Sequence, residues 1–349
     1  MTLIWASVLL GVGFGVAARL GSFCLLRGLV QAMERPPAGK RAVAPALQAC
    51  ALALAVALLA TQGLALSGQL DLTRTLPMRA QFSPLGMLAG GLLFGIGMAL
   101  ARACAARALV LVAGGNLRPL WVLLWLGLTA QAAMTGVLAP VRQYLQGWKL
   151  MTPPQASVTG WVQAHGLPGV AGQLVAVGVP AVLLLACALW RPALRQRPLQ
   201  ASAAIVIGLL VAAGWWVSAH VGLDPFAAEE RPLTSLSFIS PVAESWLYLQ
   251  LAVGRELAPG VALVGGVLAG ALVVAVVTGS FRLEGFERAS SMLAGAVGGV
   301  LMGFGGVVAL GCSIGQGLAG LSTLALASLP AVAGIIIGAG AVIQWQQRC

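Results

Sequence analysis

The sequence predicts an all-α membrane protein of about nine transmembrane helices plus about four re-entrant half-helices. Three observations carry this expectation. Charged residues make up 8% of the 349 positions, against roughly a quarter in a soluble domain. Apolar residues make up 59%, with a mean hydropathy of +0.95. They also gather in runs near the roughly 20 residues that a spanning helix needs. The net charge of +11 does not point to nucleic acid, because the arginines are dispersed between apolar runs. Forty-six glycines would weaken soluble helices, whereas glycine is common where membrane helices pack closely or break.

Taken in order, the expected spans are 3–20, 43–66, 84–101, 118–139, 168–190, 201–219, 259–279, 289–310 and 330–346. The first lacks a basic leader region and runs directly into Gly21-Ser22-Phe23-Cys24, so it reads as a span and not a cleaved signal. Four connections are too apolar for ordinary loops: 24–33, 105–117, 242–253 and 313–328. Each resembles a half-helix entered from a glycine- or proline-rich break. Broken backbone at membrane depth is tolerated only inside protein or along a cavity, which suits a channel or carrier. With the N-terminus outside, the inner connections hold Arg27, Arg35, Lys40, Arg41, Arg102, Arg107, Arg118, Arg191, Arg195, Arg197, Arg282, Arg288 and Arg348. The outer ones hold Arg74, Arg79, Arg142, Lys149, Arg231 and Arg255, a balance of 13 to 6. Basic residues favour the cytoplasmic side, so the chain is expected N-out and C-in.

The breaks look like copies of one another. Gly13-Phe14-Gly15 precedes Cys24, Gly95-Ile96-Gly97 precedes Cys104, and Gly303-Phe304-Gly305 precedes Cys312. A fourth break, Gly214-Trp215-Trp216, leads to Ser235-Leu236-Ser237-Phe238-Ile239-Ser240-Pro241 and has no cysteine. Residues 1–190 and 201–349 are accordingly expected to form two inverted repeats of a single transmembrane domain, the arrangement of many secondary transporters.

Cys24, Cys104 and Cys312 each stand at the start of an expected half-helix. Helix starts present unpaired N–H groups and a positive dipole end, both suited to an anion. Cys50 and Cys187 fall inside spans and read as small apolar filler, with Cys349 a terminal thiol. Arg19, near the end of the first span, is an ionisable residue within the membrane and so a site candidate, or else it snorkels to the interface. Zinc spacing is absent, and His165 and His220 lie in outer loops, so neither a metal nor any other cofactor is expected. No phosphate-binding loop of the G-x-x-x-x-G-K-[ST] type occurs. The expected spans contain no Asp or Glu for carboxylate-based coupling.

At these cysteine-bearing breaks the chain resembles the YeeE/YedE family of bacterial sulfur-transport membrane proteins. The longest match is Met302-Gly303-Phe304-Gly305, continuing into Gly311-Cys312-Ser313-Ile314-Gly315-Gln316-Gly317-Leu318-Ala319-Gly320. Arg19-Leu20-Gly21-Ser22-Phe23-Cys24 and Phe94-Gly95-Ile96-Gly97 through Cys104 match more weakly, with Ala103 where a glycine is expected. The resemblance implies uptake of thiosulfate or a related sulfur anion through a waisted inverted-repeat fold. The implied path residues are Cys24, Cys104 and Cys312 with Gly21, Ser22, Gly311, Ser313, Gln316, Ser237, Ser240 and Arg19. It further implies a cytosolic TusA-like sulfur-carrier protein as partner. Two rivals stand beside a permease: a membrane sulfurtransferase passing persulfide sulfur inward, and a helical anchor for a redox complex.

Overall fold

A computed structural model of the chain describes residues 2–34, 44–79, 81–151, 156–165, 169–190, 192–221, 232–254, 256–285 and 289–348. Cys349 and the loop charges Arg35, Lys40, Arg41, Arg191, Arg231, Arg255 and Arg288 lie outside those residues. In chain order the helices are α1 (Thr2–Leu20), α2 (Leu25–Met33), α3 (Pro45–Leu66), α4 (Pro84–Leu100), α5 (Ala105–Ala113) and α6 (Leu117–Thr135). Next come α7 (Ala139–Gly147), α8 (Val158–Ala164), α9 (Gly169–Leu189), α10 (Pro192–Arg195) and α11 (Pro198–His220). The last are α12 (Ile239–Leu251), α13 (Pro259–Val277), α14 (Ala289–Val308) and α15 (Ser328–Arg348). Among the described residues nine helices are long and apolar enough to cross a membrane.

Local chemistry sets the boundaries. Pro45, Pro84, Pro198 and Pro259 each open a helix, where proline's missing N–H costs nothing and its fixed φ already suits the helix. Ser83 and Asn116 cap α4 and α6 by accepting from the backbone N–H of Gly86 and Arg118, each at 3.0 Å. The short α7, α8 and α10 have no counterpart in the sequence reading. Helices half the length of a span leave too little periodic pattern to separate from loop.

Alternating spans place α1, α4, α9, α13 and α15 in one direction, and α3, α6, α11 and α14 in the other. Isolated backbone bridges agree with that alternation. Thr75 pairs with Leu233, Phe82 with Met151, and Ser157 with Ala325, all at the end where α3, α6, α11 and α14 finish. Asn116 pairs with Glu284 at the opposite end.

The bundle centres on two close helix pairs, α1 with α13 and α4 with α15, and α14 wedges between α4 and α6. A Cβ on Gly11 or Gly15 would run into the backbone of Leu263 or Val267. One on Gly91 or Gly95 would run into Ala331 or Ile335. Lipid tails are as apolar as leucine, so it is this close van der Waals approach that holds membrane helices together.

Gly95→Leu is therefore expected to destabilise the detergent-purified protein by about 1–3 kcal/mol or more. Gly265 on α13 has nothing within 4 Å of its Cβ position, so Gly265→Leu is expected to leave the melting temperature within about a degree of the parent. Equal melting temperatures for both variants would refute this packing account.

Candidate functional site

Three spans end in the same way. α1, α4 and α14 each stop with a non-glycine residue in the left-handed region: Ser22 (φ 48°), Arg102 (φ 56°) and Leu310 (φ 58°). Each stands two positions before a cysteine. At the first stop the N–H of Phe23 reaches back to Ala18 O at 3.1 Å, and at the third that of Gly311 reaches Gly306 O at 2.8 Å. Both are the wide terminal bond of a left-handed helix stop. L-residues adopt this conformation at a cost of about 1–3 kcal/mol, which the surrounding structure must hold in place. The sequence reading located the turn in the glycine pairs, and with it a difficulty at Ala103. The structure makes the turn at Ser22, Arg102 and Leu310, so Ala103 does not affect it.

Cys24 and Cys104 are then the cap residues of α2 and α5, both with extended backbone. A cap side chain faces the free N–H groups of the first turn. The N–H of Arg27 and that of Arg107 lie beside the two sulfurs without reaching the geometry of a formed cap bond. At Cys312 the bond is formed, with Gly315 N–H donating to Sγ at 3.3 Å. The backbone N–H groups of Ile314 and Phe238 approach the same sulfur. The segment expected as the fourth half-helix, 313–328, contains a π-helical stretch, Gly315–Gly320, with Ala319 N bonding Ile314 O at 2.9 Å. Such widened turns gather at functional sites.

The breaks come from opposite ends of the bundle and meet inside it. Cys24 and Cys104 follow the ends of α1 and α4, while Cys312 and Ser313 follow the opposite-facing end of α14. The Cys24 and Cys104 thiols interact with each other, and Ser313 lies against Cys104. All three cysteines are buried free thiols. A cavity of about 10 Å³ separates the breaks, lined by Phe14, Phe23, Cys24, Cys104, Arg107 and Ser313 among others. That is room for roughly one water. Phe14, which lines it, meets Phe238 with tilted rings whose centroids are 4.8 Å apart.

The remaining expected residues divide. Ser237 Oγ faces Gly315, 2.8 Å from where a Cβ would stand. Gln316 is 2% exposed and donates through Nε2 to Ala309 O at 2.8 Å. Gly311 is buried in the turn beneath Gln316. Ser240 is half-buried in the first turn of α12. Gly21 packs against Ala203 of α11 and does not line the cavity. Arg19 is held elsewhere: its guanidinium donates to Val110 O (3.4 Å), Ser280 O (3.2 Å) and Ser280 Oγ (3.0 Å), tying α1 to the ends of α5 and α13.

Among the cavity-lining residues the cation is Arg107, which the sequence placed in an inner connection. A signal for it existed. Arg27 and Arg107 each follow their cysteine by three residues, and that spacing returns a helical side chain to the face of the cap residue. Cys50, read as filler, is buried in the same core near Cys104. Among the described residues no cluster of His, Cys, Asp or Glu is suited to a metal.

The fold and site together define a multi-span helical membrane protein whose interrupted helices meet at a buried, thiol-lined constriction. The chain belongs to the sulphur-transport family, which it matches over residues 20–341. It is 26% identical over 262 residues to the thiosulfate transporter TsuA of Spirochaeta thermophila, covering 72% of this chain and 75% of that protein. To the thiosulfate transporter TsuA of Escherichia coli it is 33% identical over 115 residues, a match covering 33% of this chain and 30% of that protein.

The meeting of the two thiols has a direct check. In a variant retaining only Cys24 and Cys104, copper-phenanthroline oxidation in membranes is expected to remove both free thiols, read as a 2 Da loss in intact mass. A variant retaining Cys104 and the exposed Cys187 is expected to keep its mass. Identical behaviour of the two variants would contradict the arrangement.

Proposed function

We propose that this protein takes up thiosulfate across the bacterial inner membrane, N-terminus outside, through the constriction between Cys24, Cys104 and Ser313. The observation that carries the reading is the convergence of the Cys24- and Cys104-capped helix starts with Ser313, which arrives from the opposite end of the bundle, on one cavity. In a bilayer α2, α5, α12 and the 313–328 segment act as re-entrant elements, related in pairs by an inverted repeat of 1–190 and 201–349. The names of the family and of the TsuA relatives support the substrate class.

Thiosulfate carries two negative charges and a soft terminal sulfur. Desolvating a dianion costs many kcal/mol, while one helix start returns about 1 and at most roughly 2 kcal/mol. Several starts and a guanidinium must therefore act together. The N–H groups opening α2 and α5 and those around Cys312 supply donors, and Arg107 supplies charge on the inner side. Neutral thiols suit this passage because they donate weak hydrogen bonds to oxygen or sulfur without repelling the cargo. The anion passes Cys312, then Cys104 and Cys24, and emerges unchanged. A TusA-like carrier on the cytosolic side would then take up the sulfur.

Radioactive thiosulfate uptake into proteoliposomes tests the reading. A serine is a competent helix cap, so Cys104→Ser is expected to fold normally and retain partial uptake, with Cys104→Ala lower. Complete loss in Cys104→Ser, with a stable gain of one sulfur on a path cysteine after thiosulfate exposure, would establish persulfide transfer instead. Arg107→Gln is expected to raise KM about 10- to 100-fold, the value of a hydrogen bond to a charged group. Unchanged KM would remove Arg107 from the path.

A further inference from the structure

The segment that brings Ser313 and Ile314 to the cavity has a second face of opposite character. Around the π-turn Gly315–Gly320 lies a buried polar cluster contributed by α3, α11 and α15. Gln62 Nε2 donates to Ser322 O at 3.1 Å. Ser322 Oγ receives Thr61 Oγ1 and Trp215 Nε1, each at 3.3 Å, and itself donates to Ala319 O at 2.8 Å. Thr323 Oγ1 donates to Gly320 O at 2.8 Å. These donors are all engaged. Three oxygens are not: Gln62 Oε1, Gln316 Oε1 and Ser328 Oγ are buried without a hydrogen-bond partner. Their residues are 1%, 2% and 0% exposed. A Cβ built on Gly320 would run into both Ser328 Oγ and Gln316 Oε1, so these two oxygens converge beside the turn.

A surplus of inward lone pairs repels an anion and attracts a cation. No carboxylate, imidazole or thiolate belongs to the cluster, so its chemistry suits a singly charged hard ion, for which neutral oxygens suffice. We propose that Gln62, Gln316 and Ser328 form a sodium site that couples sodium entry to entry of the anion. Gln316 links the two faces: its Cγ lies over Gly311, and its N–H bonds Cys312 O at 2.8 Å. Filling the oxygen face therefore fixes the turn that aims N–H groups at Cys312. The need for a cation is physical. A dianion entering a negative-inside cell moves against the membrane potential, and among the expected spans and half-helices only Glu244, on α12, offers a carboxylate to accept a proton. Coupling rests on the uptake reading given above; the ion site does not.

Two experiments separate them. Thermal unfolding of the purified protein, without thiosulfate, is titrated with sodium chloride against choline chloride at constant ionic strength. Sodium is expected to raise the melting temperature saturably, with Ser328→Ala and Gln62→Met shifting half-saturation at least 10-fold. A sodium response no larger than that to choline overturns the site, and this holds even if a variant fails to fold. In proteoliposomes, replacing external sodium by choline is expected to lower thiosulfate uptake at least 10-fold. Uptake indifferent to sodium overturns coupling and leaves transport standing. Sodium stabilisation in a protein that takes up no thiosulfate keeps the site and overturns the coupling with the transport reading.

Discussion

A bilayer offers no water to a broken helix. Each backbone N–H or C=O freed there must find a partner inside the protein or lose several kcal/mol. This chain breaks three spans at left-handed Ser22, Arg102 and Leu310, each a conformation that L-residues avoid. Everything else in the architecture follows from keeping those breaks enclosed. Freed N–H groups are gathered at Cys24, Cys104 and Cys312, and the first two of these cysteines line one small cavity with Ser313. Under the proposed uptake reading, donors freed by the interruptions are what an enclosed anion requires.

Enclosure depends on helices approaching more closely than leucine-rich surfaces permit. Glycines of α1 and α4 press against the backbones of α13 and α15, and Gly299 and Gly303 of α14 do the same to α6. Arg19 closes one corner by holding the ends of α5 and α13 to α1. Arg19, for which the sequence left site and interface both open, ties helices together, while Arg107 lines the cavity.

The spans were legible because length and hydropathy are enough to define them: the expected 84–101 became Pro84–Leu100, and 43–66 became Pro45–Leu66. The helix starts at Cys24 and Cys104 were legible through their repeated placement after glycine pairs. The position of the turn was not, because Ser22, Arg102 and Leu310 share no residue type, and only backbone angles reveal them. Nor was the π-turn at Gly315–Gly320, which differs from an α-turn by one residue per bond. The role of Arg107 needed the C-x-x-R spacing to be read as geometry on one helix face. Gln62 contacts Ser322 across 260 positions, a tertiary relation with no local trace.

The account stands on the thiols of opposite breaks sharing one anion passage. A selenosulfate-bound structure tests it most directly, because selenium at the terminal position marks the soft end of the ligand by anomalous scattering. The predicted result is a selenium peak in contact with Cys104 Sγ, between Cys24 and Ser313, with the cavity widened around it. Selenium found only in surface loops or against the lipid-facing helices, with the thiol cavity still closed and empty, would contradict the account.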